Sequence, residues 1–330
     1  MSKESVLQLL IQTDDYISGE GMSEALGVSR AAVWKSIQAL REGGHEIEAK
    51  TNRGYRLLAL SDMALPSTVR PLLTRGDFCP EIIYLNEVDS TNTYLKREAA
   101  SGALHGTVVV ANAQTGGRGR MGRSFVSLPG KGLFFSLLLR PAPALTPSIT
   151  GLTAFAAVAV CEAIATVAPV EPKVKWVNDI LVGEGKLCGI LTEMSMLGEV
   201  GQVDYVVIGA GINVHYQPED FPEEVRDRAT SLAMLTDQPV SRGLLAAALI
   251  DAFARMYDAC LTNPETYRER YRALSATVGR EILVIRGEES RPAYAAGISP
   301  DCGLMVRYPD GVEETLHYGE ASIRGMNGYI

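Results

Sequence analysis

Residues 107–139 read TVVVANAQTGGRGRMGRSFVSLPGKGLFFSLLL. Thr107 to Ala111 and Leu133 to Leu139 are apolar runs bounded by Gly and Pro, the pattern of strands buried on both faces. Between them, Gln114 to Arg123 holds four Gly and three Arg. Such a segment cannot build a core. Its glycines let the backbone approach an anion, and its arginines offer planar donor forks to phosphate or carboxylate. A flexible, solvated surface loop is the competing reading.

Downstream, Lys173 to Val177 reads as a strand, followed by Asn178-Asp179 and by Ile180-Leu181-Val182, which turns at Gly183-Glu184-Gly185. Lys186 precedes a second apolar strand, Leu187 to Glu193, so the unit is a hairpin with Lys186 at its mouth. A positioned Lys is a compact cation that can hold a carboxylate and a phosphate together. Asp179 could hold a metal or orient a base. The same residues equally suit an ordinary solvated turn. No Ser–His–Asp or Cys–His triad can be drawn from the spacings.

Two nucleotide signatures are incomplete. Gly117 to Ser124 has the spacing of a P-loop with Arg123 in place of Lys, but Pro129-Gly130 and a strand follow where a helix must open. Val206-Val207-Ile208-Gly209-Ala210-Gly211 starts as a dinucleotide fingerprint. Its third Gly is missing, and Pro218 and Pro222 follow instead of a long helix. Gly209 and Gly211 therefore read as a tight turn beside a ligand.

Toward the N-terminus, Ser5 to Ile11 has helical apolar spacing, Gly19-Glu20-Gly21 breaks the chain, and Met22 to Leu26 is a short helix stopped at Gly27. Ser29 is an N-cap for a third helix, Arg30 to Arg41, with Val33, Ile37 and Leu40 on one face. Strands at Glu46–Glu48 and Tyr55–Leu58, joined by Thr51-Asn52-Arg53-Gly54, complete a winged helix-turn-helix. Residues 28–56 carry six bases against three acids, whereas residues 1–27 carry one base against five acids. The positive charge falls where phosphates would lie. The candidate DNA contacts are Ser29, Arg30, Ala31, Trp34 and Lys35 at the start of the recognition helix, and Arg53 in the wing. The competing reading is a motif used only for packing or dimerisation.

The whole chain has 330 residues, about two domains' worth, with 46% hydrophobic and 21% charged residues. Its net charge of −8 excludes a general nucleic-acid or membrane coat but cannot see a local patch. The five Cys and four His show no C-x-x-C and no sequence-local metal pair. Ile149 to Val170 is long enough to span a bilayer, yet it is Ala-rich, contains Glu162 and lacks basic flanks. It reads as a buried helix. MSKESVLQLL is no signal peptide, so the cytoplasm is expected. Ser241 to Asn263 is a long helix. Beyond it, short strands at Ile282–Arg286, Arg291–Ile298, Gly303–Tyr308 and Val312–His317 predict a small barrel.

Taken together, these pieces resemble the family of bifunctional biotin–protein ligases that double as biotin operon repressors. The matching residues are Ser90-Thr91-Asn92-Thr93-Tyr94-Leu95, Gln114 with Gly117-Arg118-Gly119-Arg120-x-Gly122-Arg123, and Lys175-Trp176-x-Asn178-Asp179. They continue with Lys186-Leu187-x-Gly189-Ile190-Leu191, Ile208-Gly209-x-Gly211-Ile212-Asn213 and, near the end, Gly319-Glu320-x-Ser322-Ile323-Arg324-Gly325. The resemblance implies three parts: a winged helix-turn-helix over 1–64, a mixed-sheet, class II synthetase-like ligase domain over 65–274, and an SH3-like β-barrel over 275–330. It implies a ligase that uses ATP and Mg²⁺ to make biotinyl-5′-AMP and then acylates a lysine of a biotin carboxyl carrier protein. It further implies operator DNA as a partner and a homodimer formed on ligand binding, with no membrane association.

By the same resemblance, Ser90, Thr91, Asn92, Gln114, Arg118, Gly119, Arg120, Lys186 and Gly189 form the biotin site. Arg118, Arg120, Arg123, Asn178, Lys186 and Asn213 serve the nucleotide. Lys186, Arg120 and Asp179 are the catalytic candidates, Asp179 is the candidate Mg²⁺ ligand, and Trp176 packs beside the site. The chain departs from the family pattern at Met121 and Phe125, where Arg and Trp are usual, and at Val177, where Pro is usual. Altered affinity, with the chemistry kept, is the expected consequence. A ligase whose winged helix is only structural, a ligand sensor without ligase activity and a related lipoate ligase are the competing functions.

Overall fold

A computed structural model describes residues 3–142, 145, 148–197, 202–317 and 322–325. Gly319 and Glu320 of the C-terminal motif lie outside them. Helices α1 (Lys3–Ile11), α2 (Gly19–Leu26) and α3 (Arg30–Glu42) bury Leu7, Leu10, Met22, Val33, Ile37 and Leu40 in a small core, closed by Ile47 of the hairpin β1 (Glu46–Lys50) and β2 (Gly54–Ala59). Gly19-Glu20-Gly21 does not break the chain as the composition predicts. Ser18 accepts the Gly21 N–H at 2.9 Å, and this cap starts α2 at Gly19 itself. Ser29 caps α3 in the same way. Ile17 bridges to Tyr55, adding a third edge to the wing. Only glycine fits at Gly54, since φ is +108° and a Cβ would lie 2.1 Å from the Ile17 carbonyl oxygen.

The central part contains α4 (Pro66–Val69), β3 (Ile82–Leu85), α5 (Thr91–Ala100), β4 (Val108–Ala111), β5 (Gly132–Leu139), α6 (Leu152–Val167), β6 (Lys173–Lys175), β7 (Asp179–Val182), β8 (Gly185–Leu197) and β9 (Gln202–Asn213). Then come α7 (Glu223–Arg226), α8 (Leu232–Leu235), α9 (Arg242–Thr262) and α10 (Glu265–Leu274). The strands form one sheet in the order β3-β4-β5-β9-β8-β7-β6, with β3 and β4 parallel and the other neighbours antiparallel. Period-two alternation sorts the side chains. Leu133, Phe135, Leu137, Val206, Ile208, Ala210 and Ile212 join the core that α6 and α9 build over one face. Leu138 and Val207 pack with Leu95 and Ala99 of α5 on the other. Register then extends that second face: Ser136 stands opposite Gly209, Phe134 opposite Gly211, and Gly211 opposite Gly189. Beyond the end of α5, Gly189, Gly209 and Gly211 leave this face without side chains at three neighbouring positions, and the site forms there.

Two further sequence expectations are corrected. Gly209 and Gly211 lie within β9 and make no turn. The strand predicted over 173–177 ends at Lys175, where the chain reverses so that β7 pairs antiparallel with β6 from Asp179 onward. The C-terminal strands β10 (Glu281–Arg286), β11 (Glu289–Ile298), β12 (Leu304–Arg307), β13 (Glu313–Leu316) and β14 (Ser322–Gly325) form an antiparallel sheet in the order β13-β12-β11-β10-β14. Among the described residues its edges β13 and β14 do not pair, so the sheet they bound is open. Within the Ile149–Val170 segment the helix is Leu152–Val167, buried in the core, and no helix among the described residues is long and apolar enough to cross a membrane.

Candidate functional site

A cavity of about 340 Å³ lies between the glycine-bearing face of the sheet, the Gly-Arg loop and the edge of the C-terminal sheet. Its floor is made by omission. A Cβ at Gly209 would sit 2.2 Å from Asn92 Oδ1, and one at Gly211 would sit 2.7 Å from the Phe125 ring.

One end is neutral and rich in hydrogen bonds. Thr91 opens α5, so its N–H has no helical acceptor. Gln114 Oε1 takes it at 2.8 Å and the Thr91 hydroxyl at 3.2 Å. The Gln114 amide donates to Ser127 Oγ at 3.0 Å. Ser136, buried in β5, donates to Asn92 Oδ1 at 2.6 Å and touches Thr91 Oγ1 at 2.8 Å. Ser90 lines the same end.

The other end is cationic. The Gly-Arg segment is not a solvated coil but a narrow hairpin: Phe125 N–H donates to the Gly117 carbonyl at 2.9 Å, and Gly119 N–H to the Arg123 carbonyl at 2.7 Å. Gly117 has no space for a side chain, with Phe125 O 2.5 Å from a Cβ position. Met121, exposed at the tip, takes φ +55°. Phe125 turns back against Gly189 and Gly211 and meets Phe134 edge-on at 6.5 Å. Arg120 donates to Asn178 Oδ1 at 3.1 Å, and Asn178 donates to the Ile190 carbonyl at 2.7 Å. Lys186 pairs with Asp179 at 2.7 Å. Asn213 donates to the carbonyls of Lys186 and Thr230, holding the start of β8. Arg118, Gly119, Arg123 and Gly189 line the same space. Trp176 lines it too, and donates its indole N–H to the Cys302 carbonyl at 3.2 Å, tying the site to the C-terminal sheet.

The structure adds residues for which the sequence reading assigned no role. Lys175 is buried at the cationic end; burial pushes its amine down to about 8, Asp179 opposes this, and Lys186, Arg324 and Arg123 reinforce it. Arg228 and Arg324 also line the cavity, where Asp179 is the one acid among the described lining residues. Ser136 and Lys175 were detectable as polar residues inside buried strands. Arg228 gave no local signal. Lining so rich in cations suits a polyphosphate or two anions side by side. Among the described residues there is no cluster of three metal-ligating side chains. Asp179 alone offers a carboxylate, which fits an Mg²⁺ carried on nucleotide phosphates and completed by water, not a protein cage.

On the winged helix, Ser29, Arg30, Ala31, Trp34 and Lys35 are exposed along the start of α3, with Trp34 57% accessible. Arg53 lies on the wing but is engaged: it pairs with Asp15 at 2.8 Å and stacks over Tyr16 at 4.4 Å. The linker is bolted to the central sheet. Arg242 donates to Asp62, to Asn112 Oδ1 at 3.0 Å and to the Gly132 carbonyl at 3.3 Å, and His215 contacts Asp62 at 2.8 Å.

Comparison with known proteins follows this division. Residues 84–213 match the model of the biotin/lipoate A/B protein ligase family, and residues 3–56 match a helix-turn-helix domain. The chain is 40% identical to the bifunctional ligase/repressor BirA of Bacillus subtilis strain 168 over 316 residues, covering 94% of this chain and 96% of that one. It is 30% identical to the Salmonella typhimurium protein of the same name, covering 96% and 95%. The biotin protein ligase of Aquifex aeolicus in complex with biotin and ATP superimposes with a TM-score of 0.64 at 29% identity, covering 74% of this chain and 99% of that one.

Proposed function

Because this chain belongs to the family of the bifunctional ligase/repressor BirA, we propose that it is a biotin–[acetyl-CoA-carboxylase] ligase and a biotin-responsive repressor. The polarity of the cavity carries this reading, since neutral hydrogen-bonding groups face one end and cations the other. Biotin has that polarity, with a cyclic urea at one end and a carboxylate at the other.

Ser90, Thr91, Asn92 and Gln114 hold the urea. Arg118, Arg120, Arg123 and Lys186, with Asn178 and Asn213, receive the nucleotide phosphates and the biotin carboxylate. The carboxylate oxygen attacks the α-phosphorus, the bond to the bridging oxygen breaks, and pyrophosphate leaves. A deprotonated carrier lysine then attacks the acyl carbon and AMP leaves. The protein needs no covalent intermediate. It brings two anions into reach and neutralises the charge that develops at phosphorus. Lys186 and Arg120 supply that charge, and Asp179 orients Lys186. Asp179 would also hold a nucleotide-borne Mg²⁺, whose contribution is further neutralisation of the phosphates.

We assign the segments 1–64, 65–274 and 275–330 to the winged helix, ligase and C-terminal domains, and read the open C-terminal sheet as SH3-like. Ligand ordering of the Gly-Arg loop favours a homodimer that spans an operator with two half-sites. The protein acts in the cytoplasm. The test is transfer of labelled biotin to a carrier domain, expected only with ATP and Mg²⁺. Absence of transfer by folded protein refutes the ligase reading. Footprinting on a palindromic site, with and without biotinyl-AMP, tests the repressor; binding in neither state refutes it.

A further inference from the structure

Behind the neutral end of the cavity stands a charged pair that the reaction does not use. Glu193 on β8 accepts from Asn92 Nδ2 at 2.9 Å and pairs with Lys96 of α5 at 2.5 Å. We propose that Glu193, placed by Lys96, is a positioning residue that fixes the Asn92 amide and thereby selects a ring carrying N–H donors. The proposal rests on the biotin reading of the cavity.

An amide can sit in two orientations, and its neighbours decide between them. The Leu191 carbonyl, 3.2 Å away, and the Glu193 carboxylate only accept. The NH₂ group must face them, and both its protons are spent. Oδ1 is left toward Ser136, whose single proton goes to it. Gly209 seals the arrangement, because Oδ1 occupies the space a Cβ would need. Asn92 thus has no proton for a ligand and shows it only an oxygen lone pair. The neighbouring Thr91 hydroxyl, whose proton lies between Ser136 Oγ at 2.8 Å and Gln114 Oε1 at 3.2 Å, likewise faces the cavity as an acceptor. A cyclic urea brings N–H groups to these acceptors. The dithiolane ring of lipoate has none and would leave them desolvated and unpaired, the asymmetry that gives polar sites their strongest discrimination. Lys96 and Glu193 are each about a third exposed, so the ion pair itself contributes little. Its importance is the place it gives the carboxylate.

The test is steady-state kinetics of biotin activation on the full chain, with melting curves as the control for folding. Glu193→Ala is expected to raise the biotin KM roughly tenfold or more while kcat and the ATP KM hold, and to narrow the preference for biotin over lipoate by the same factor. Glu193→Gln, which keeps an acceptor oxygen, recovers most of the affinity, and Lys96→Ala, which loosens the carboxylate without removing it, gives a measurable defect smaller than that of Glu193→Ala. Asn92→Asp sets two carboxylates together and loses biotin binding. Adding Glu193→Gln to it restores part, because the new amide can donate; this pair decides the matter if Glu193→Ala does not fold. An unchanged biotin KM in folded Glu193→Ala overturns the proposal, as does a Lys96→Ala defect equal to that of Glu193→Ala or a failure of the double variant to recover. A wild-type protein that does not activate biotin at all overturns instead the reading on which the proposal rests.

Discussion

Replacing Gly209 by Ala tests the claim that the cavity floor exists by omission. Gly209 lies in mid-strand, its φ outside the left-handed region, so the backbone accepts alanine and the methyl group is the whole perturbation. That methyl would stand 2.2 Å from Asn92 Oδ1, where ordinary contact begins near 3.4 Å. Asn92 must therefore retreat by about an ångström. It is held by Ser136 at 2.6 Å, the Leu191 carbonyl at 3.2 Å and Glu193 at 2.9 Å, and a shift of that size breaks at least one of them. The loss is about 1–3 kcal/mol. Because Asn92 lines the neutral end of the cavity, the biotin KM should rise roughly 5- to 150-fold, with the ATP KM unchanged. Isotope exchange between pyrophosphate and ATP, titrated in biotin and separately in ATP, measures both. A melting point lowered by a few degrees with an unchanged biotin KM would refute the reasoning, since it would place the methyl group's cost in the core and not in the site.

Lys186→Ala should cripple pyrophosphate release while circular dichroism stays native; near-normal release removes Lys186 from the chemistry. Arg242→Ala removes the guanidinium's bonds to Asp62, to Asn112 Oδ1 and to the Gly132 carbonyl, the last two flanking the Gly-Arg loop on either side, so tryptic cleavage in that loop should accelerate and stability fall by about 1–3 kcal/mol; unchanged cleavage contradicts the bracing role. Burial would raise the Asp62 carboxyl, but hydrogen bonds from His215 and the Arg242 backbone, with the Arg242 charge, outweigh it and bring it from 3.8 to about 2. A depressed carboxyl stabilises the fold above the unfolded value and loses that contribution as pH falls from about 4 to about 2. Asp62→Asn should therefore flatten the acid limb of a stability–pH curve, and parallel curves count against it. Arg30→Ala should weaken specific operator binding by about 1–3 kcal/mol with ligase activity intact, whereas Arg53→Ala should cost less because Asp15 and Tyr16 already occupy that side chain; equal losses contradict this ordering.

What the sequence disclosed, and what it hid, divides by the range of the interaction. The Ser29 cap and the Val33–Ile37–Leu40 stripe act within one helix and could be read directly. The Ser18 cap is equally local, yet the two glycines beside it drew attention to a break. The Gly-Arg loop was readable as anion chemistry, but its hairpin form depends on Gly117 meeting Phe125 across the turn, a register no composition states. Gly209 and Gly211 are the sharper case. They read as a turn because two glycines close together are taken as punctuation. The flanking Val206, Ile208, Ala210 and Ile212 alternate at period two and place both glycines on one face of a strand. That alternation was visible in the sequence and carried the better answer: a strand that omits side chains at two successive same-face positions has room for something else. Glu193 and Ser136 follow the same logic, as polar residues on a face whose other members are apolar or absent. Arg228 and Arg324 do not, since they reach the cavity from elements packed on it late in the chain. Period-two omission together with isolated polarity on one strand face is thus the local signature of this site, and only long-range packing tells which cations come to share it.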